Sequence, residues 1–188
     1  MIRWTFLVAL FLATPALPAA WVLDPARSEI AFTYTENGED WPGRFPVFEG
    51  RAFYDPAFVE DTEVSLTLST ADVEMADFLR TAYSKTEPWF DTAAHPQAGF
   101  ILESLTETAP GRFEAQGRTT IKGQDYPITL PFALGREGAC LVAEGEVPLR
   151  LADFGMGADF VSRAIRVGEE IVLRFRLIGY RADLGPGC

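Results

Sequence analysis

The chain has 188 residues, 48% hydrophobic, 13% aromatic and 23% charged, with a formal net charge of −11. That length fits one domain behind a leader and can bury a sizeable core. The acidic balance argues against nucleic acid and anionic membrane surfaces, both of which attract basic patches.

Residues 1–20 carry a single charge, Arg3, then the apolar run Trp4 to Ala13 and a tail ending Leu17, Pro18, Ala19, Ala20. This is the pattern of a secretory signal peptide cleaved near Ala19 or Ala20. The run is too short for the roughly 20 residues of a membrane span. Loss of Arg3 takes the charge from −11 to −12. The expected domain is residues 21–188, delivered to an oxidising compartment.

Eight segments then carry the two-residue alternation of strands. The first has Ile30, Phe32 and Tyr34, and the second, Phe45 to Tyr54, is apolar on both faces. The third turns Val64, Leu66 and Leu68 inward against Glu63, Ser65 and Thr67.

Between the third and fourth segments, Met75, Phe78, Leu79, Ala82 and Tyr83 recur at helical spacing. They predict one short helix of about ten residues whose apolar face, with Trp89 and Phe90, plugs an open barrel end or packs outside.

The sole histidine, His95, follows Asp91 by four residues in a loop before Pro96. The pair has the chemistry of a general base, but no nucleophile motif accompanies it and a lone His builds no zinc site. A surface-loop histidine is the simpler reading. No catalytic residue and no metal ligand set emerges.

The fourth segment offers Ala98, Phe100 and Leu102. The fifth and sixth form a hairpin: Phe113, Ala115, Gly117, Thr119 and Ile121, a turn over residues 122–125, then Ile128, Leu130, Phe132 and Leu134. In the seventh, Leu141, Ala143, Gly145, Val147, Leu149 and Leu151 alternate with Val142, Glu144, Glu146, Pro148 and Arg150, and a turn or bulge at Gly155 and Gly157 follows. The eighth sets Ile171, Leu173, Phe175 and Leu177 against Arg174 and Arg176.

The pattern is all-β: an antiparallel up-and-down barrel or a sandwich. Eight strands are the number whose closed interior holds one small ligand. Glu63, Glu114, Arg118, Arg174 and Arg176 on the outer face exclude a lipid-facing wall. Cys140 opens the seventh strand and Cys188 follows the eighth, so antiparallel neighbours place both at one barrel end and a disulfide is expected.

Several landmarks coincide in order: Trp21 to Asp24, Ser28 to Phe32, Trp89-Phe90-Asp91, Pro96 to Phe100, Gly117 to Phe132, and Asp153-Phe154-Gly155. Over Trp21 to Ala182 the chain resembles the YceI-like family of exported polyisoprenoid-binding proteins. The resemblance implies an extended, lipocalin-like eight-stranded antiparallel barrel, located in the periplasm. Its apolar tunnel would hold an isoprenoid lipid of the polyprenyl phosphate or quinone type, with no cofactor and no established catalysis.

Under that reading the tunnel is lined by bulky Phe32, Leu66, Leu68, Phe78, Phe90, Phe100, Leu130, Phe132, Leu173 and Phe175. Small Ala98, Ala115, Gly117, Ala143 and Gly145 leave room between them. Family members often carry an Arg two residues before Asp-Phe-Gly. Here that position is Leu151, and strand parity turns Arg150 outward. The rival readings are an enzyme of lipid or quinone metabolism using His95 and Asp91, and a filled interaction barrel. No nucleic acid and no stable membrane insertion is expected, and the sequence is silent on oligomeric state.

Overall fold

Alternation in the long strands builds a wall that closes on itself. The computed structural model describes residues 19–188, so the expected leader lies outside the described residues apart from Ala19 and Ala20. The strands before the helix are β1 (Ala19–Leu23), β2 (Glu29–Glu36), β3 (Glu39–Arg44), β4 (Phe48–Tyr54), β5 (Glu63–Ser69) and β6 (Glu74–Met75). Then come α1 (Phe78–Ser84), β7 (Gln97–Ala109), β8 (Arg112–Ile121), β9 (Gln124–Glu137), β10 (Cys140–Arg150), α2 (Phe160–Ala164) and β11 (Val167–Arg181).

Strand β11 closes the barrel. One edge pairs with β10 from Gly179↔Leu141 to Glu170↔Arg150. The other takes β2 along Val167 to Arg176 and then β1 at Gly179 to Arg181. Pairing runs on from β1 through β4, β5, β7, β8 and β9 back to β10, antiparallel throughout. Segments β1 and β2 are therefore one bent strand, and β3 and β4 another. The result is an eight-stranded closed antiparallel barrel, lipocalin-like as expected, with no long free edge among the described residues.

The bends have local causes. Asp24 Oδ1 accepts from the Ala26 amide at 3.1 Å, turning the chain beside Pro25. Pro46 interrupts the other strand because it has no N–H to give the ladder. The β8–β9 turn is tighter than four residues: Gln124 and Asp125 already pair with Ile121 and Thr120. Only Lys122 (φ 51°) and Gly123 (φ 70°) remain, the double positive φ of a type I′ hairpin.

The helix differs from the sequence reading. Met75 belongs to β6, paired with Gly43 of β3, and α1 spans only the seven residues Phe78–Ser84. Phe78 and Leu79 are 80% and 76% exposed, so its apolar residues do not form a buried face. Asp77 caps it by accepting from the Arg80 amide at 2.9 Å. Arg80 fastens it to the barrel through two bonds to Glu36, at 2.9 and 2.8 Å, with its guanidinium 3.9 Å from the Trp41 ring centroid.

Both helices lie at the end where β2, β8 and β10 finish, which we call the helix end. At the opposite end Cys140 and Cys188 form the disulfide, Cα atoms 5.2 Å apart. Outside, Arg174 meets Glu146 and Arg176 meets Glu144, each at 2.7 Å between directly opposed residues of β10 and β11.

Candidate functional site

Two buried clusters fill the helix end of the barrel. Trp89, Leu151, Phe154 and Met156 pack with Tyr83, Phe90 and Tyr126. Ile30, Phe32, Tyr34, Phe45, Phe48 and Val73 form the adjoining cluster, and Phe90 touches both. The sequence expectation of an aromatic plug holds for Trp89 and Phe90, while α1 contributes mainly Tyr83. The Asp153-Phe154-Gly155 landmark serves this plug: a short 3-10 turn, Leu151–Phe154, ends on Gly155 at φ 64°, and Phe154 meets Tyr126 edge-on at 5.3 Å.

A second tether holds the plug. The Tyr83 hydroxyl donates to Asp159 Oδ1 at 2.5 Å, and Asp159 caps α2 by accepting from the Val161 and Ser162 amides at 2.8 and 3.1 Å. Burial alone would raise the Asp159 pKa. Hydrogen bonds from Ser162, Tyr83 and the two amides outweigh it and hold the carboxyl well below the usual range. In the adjoining cluster, burial is the main cause pushing the Tyr34 hydroxyl up to about 12.

Beyond the plug an apolar tunnel runs from mid-barrel to the disulfide end, with a cavity of about 260 Å³. That is just under the usual ligand-pocket range of roughly 300–1,000 Å³, which suits a slender chain. Of the expected residues, Leu66, Leu68, Phe100, Leu130, Phe132, Leu173 and Phe175 line it, as do Ala115 and Ala143. Leu102, Leu105, Ile128, Leu134, Leu141 and Leu177 join them, as does Ile30, which also belongs to the adjoining buried cluster.

Six expected residues stand elsewhere. Phe32 and Phe90 belong to the plug clusters, and Phe78 points to solvent. Ala98 is buried opposite Leu68. Gly117 and Gly145 are not empty spaces, because neighbouring rings fill them. A Cβ on Gly117 would lie 2.6 Å from Phe100 Cε2, and one on Gly145 2.8 Å from Phe175 Cε1. Gly43 is packed the same way under Phe32. A small residue in alternation signals a gap in the wall but not whether a cross-strand ring has taken it.

The tunnel reaches Trp21, Tyr54 and Thr62 at the disulfide end, residues that the sequence reading did not single out for it. Trp21 lies between Arg181 of β11 and Ala52 of β4, so burial was legible only once β1 was placed. Arg150 is exposed at the end of β10, as parity requires. His95 packs beside Gly123, its amide donating to the Asp91 carbonyl at 2.8 Å. Among the described residues no cluster of His, Cys, Asp and Glu could hold a metal ion, and no helix is long and apolar enough to cross a membrane.

Known proteins share this architecture. A UPF0312 protein of Shewanella denitrificans is 27% identical over 181 residues, covering 95% of this chain and 85% of that protein. Protein YceI of Escherichia coli is 26% identical over 166 residues, 82% and 85% of the two chains. Among solved structures, Burkholderia cenocepacia BcnA superposes with a TM-score of 0.78 at 23% identity, covering 83% of this chain and 98% of that one. A polyisoprenoid binding domain from Saccharophagus degradans gives 0.70 at 16%, covering 87% and 99%. These two likenesses are of fold. The model of the YceI-like domain matches residues 21–178, and the chain belongs to that family.

Proposed function

We propose that the protein binds an isoprenoid lipid in its tunnel and carries or stores it in the periplasm, without catalysing a reaction. The observation that carries this reading is the wall itself: all eight barrel strands contribute hydrocarbon side chains to one continuous cavity closed by the aromatic plug. A flexible prenyl chain needs an apolar path of that kind and little directional bonding. The polyisoprenoid-binding Saccharophagus relative of the same fold supports the ligand class. The leader-like residues 1–20 and the disulfide support export.

Organic extraction of protein purified from its native compartment, followed by mass spectrometry, tests the reading. A stoichiometric isoprenoid is the expected result. Repeated recovery of none would overturn it.

A further inference from the structure

Two segments at the helix end repeat one pattern. Ala76-Asp77-Phe78-Leu79 opens α1, and Ala158-Asp159-Phe160-Val161 opens α2. In each, the Asp side chain caps the helix and the next two residues are apolar and stand in solvent. Phe160 is 77% and Val161 46% exposed, matching the exposure of Phe78 and Leu79 on α1. The helices are fixed side by side. Near the start of α1, Arg80 bonds Glu36, and the adjacent Asn37 amide donates to the Ile165 and Arg166 carbonyls at the end of α2, at 3.1 and 3.3 Å. Tyr83, late in α1, donates to Asp159 at the start of α2. The helices therefore run antiparallel over the barrel end and carry both apolar tips on one platform. Single exposed apolar residues are ordinary, but four large ones gathered in this way mark an interaction surface.

The form of the tips narrows what could cover them. A helix that seats in a protein groove presents apolar residues three and four positions apart. Here the exposed pairs are consecutive, so their side chains diverge by about 100° around the helix axis. Three and four positions after each Phe stand Thr81 and Ala82, and Arg163 and Ala164, so no apolar stripe continues. Such tips suit a fluid apolar phase that closes around each side chain. A second copy suits them poorly. Two phenylalanines of about 200 Å² each and two aliphatic neighbours fall short of the roughly 800 Å² per partner of a standard interface, and each copy would bring a net charge of −11. That charge also disfavours an anionic surface. Both signs occur on and next to the two helices, Asp77, Glu87 and Asp153 with Lys85, Arg163 and Arg166, which suits headgroups that carry a phosphate and an amine together. Asp77 and Asp159 already satisfy the Arg80, Val161 and Ser162 amides, so those donors lose nothing on leaving water.

We propose that the helix end is a docking face for a zwitterionic lipid bilayer, which Phe78, Leu79, Phe160 and Val161 enter to interfacial depth. The seating is reversible, because four side chains bury far less apolar surface than a spanning segment. It sets the plugged end of the tunnel, rather than the disulfide end, against the bilayer. The tips stand on the elements that hold the plug, for Tyr83 meets Trp89 edge-on at 6.3 Å while bonding Asp159. The docking face goes beyond the isoprenoid reading and stands on the exposed residues, so either can fail without the other.

Cosedimentation of the purified protein with phosphatidylcholine vesicles free of isoprenoid tests the face. The parent is expected to bind equally at low and high salt, as apolar insertion requires. Combining Phe78→Ser with Phe160→Ser should weaken binding by about tenfold or more for each ring kept in water. An unchanged melting temperature checks that this double variant is folded, and Leu79→Ser with Val161→Ser replaces it if it is not. Ile101→Ser, which removes an exposed apolar residue of the outer wall on β7, should leave binding unchanged. No binding by the parent, equal binding by parent and double variant, or loss of binding in high salt would overturn the docking face. A doubled mass at sedimentation equilibrium that the double variant abolishes would assign the patch to a second copy instead. Each of these results would leave the isoprenoid reading of the tunnel intact.

Discussion

Phe100 fills the space that a side chain at Gly117 would need, with Cε2 only 2.6 Å from where a Cβ would stand. The same Cβ would press on the backbone oxygen of Ile101, which cannot rotate away. Gly117 is thus a packing position under a tunnel-lining ring. Its role is to let β7 and β8 approach, and Phe100 then narrows the cavity.

Gly117→Ala is expected to destabilise the fold by about 1–3 kcal/mol through overpacking. A lower urea midpoint at unchanged m-value would report it. A variant as stable as the parent would mean that the strand shifts freely there.

Ala143→Phe and Ala115→Phe test the wall directly, since both residues line the cavity. Each ring should occupy tunnel volume and lower lipid occupancy, with about 1–3 kcal/mol lost to overpacking. Native mass spectrometry on folded variants reads the occupancy, and full loading would place the lipid elsewhere.

Asp159 links acid stability to the plug. Its folded pKa lies below the 3.8 of an ordinary carboxyl, so it contributes stability that is present above about pH 4 and is lost as pH falls through the depressed value. Asp159→Ala removes the α2 cap and the Tyr83 tether, an expected loss of about 0.5–2 kcal/mol near neutrality. Chemical denaturation from pH 7 downward should show the two proteins converging in acid.

Reduction of Cys140–Cys188 should lower stability by up to about 4 kcal/mol on the chain-entropy model for this separation. The tail packs outside the wall, where Cys140, Val142 and Ile178 form a small cluster with Tyr180. Cys188→Ser should therefore lower the melting temperature while leaving lipid occupancy near that of the parent.

Much of the barrel was legible because a strand buried on one face writes its orientation every second residue. The segments around Leu66, Leu130 and Leu173 read correctly for that reason. The α1 segment misled because helical spacing describes a face without saying that anything covers it. Phe78 and Leu79 are exposed, and Arg80, bound to Glu36 and stacked on Trp41, holds the segment in place.

The ordered landmarks and the alternation determined the family, the all-β class and the pairing of the two cysteines, because these depend on local pattern and strand parity. Which gaps stay open was decided only in three dimensions. Ala115 and Ala143 border the cavity, whereas Gly117 and Gly145 lie beneath Phe100 and Phe175 from neighbouring strands. The disulfide end of the tunnel was hidden for the same reason: Trp21 and Thr62 are 41 positions apart in the chain and share one cavity only after β1, β4 and β5 pair. Alternation fixes the face a side chain takes, and cross-strand packing fixes what else already occupies it.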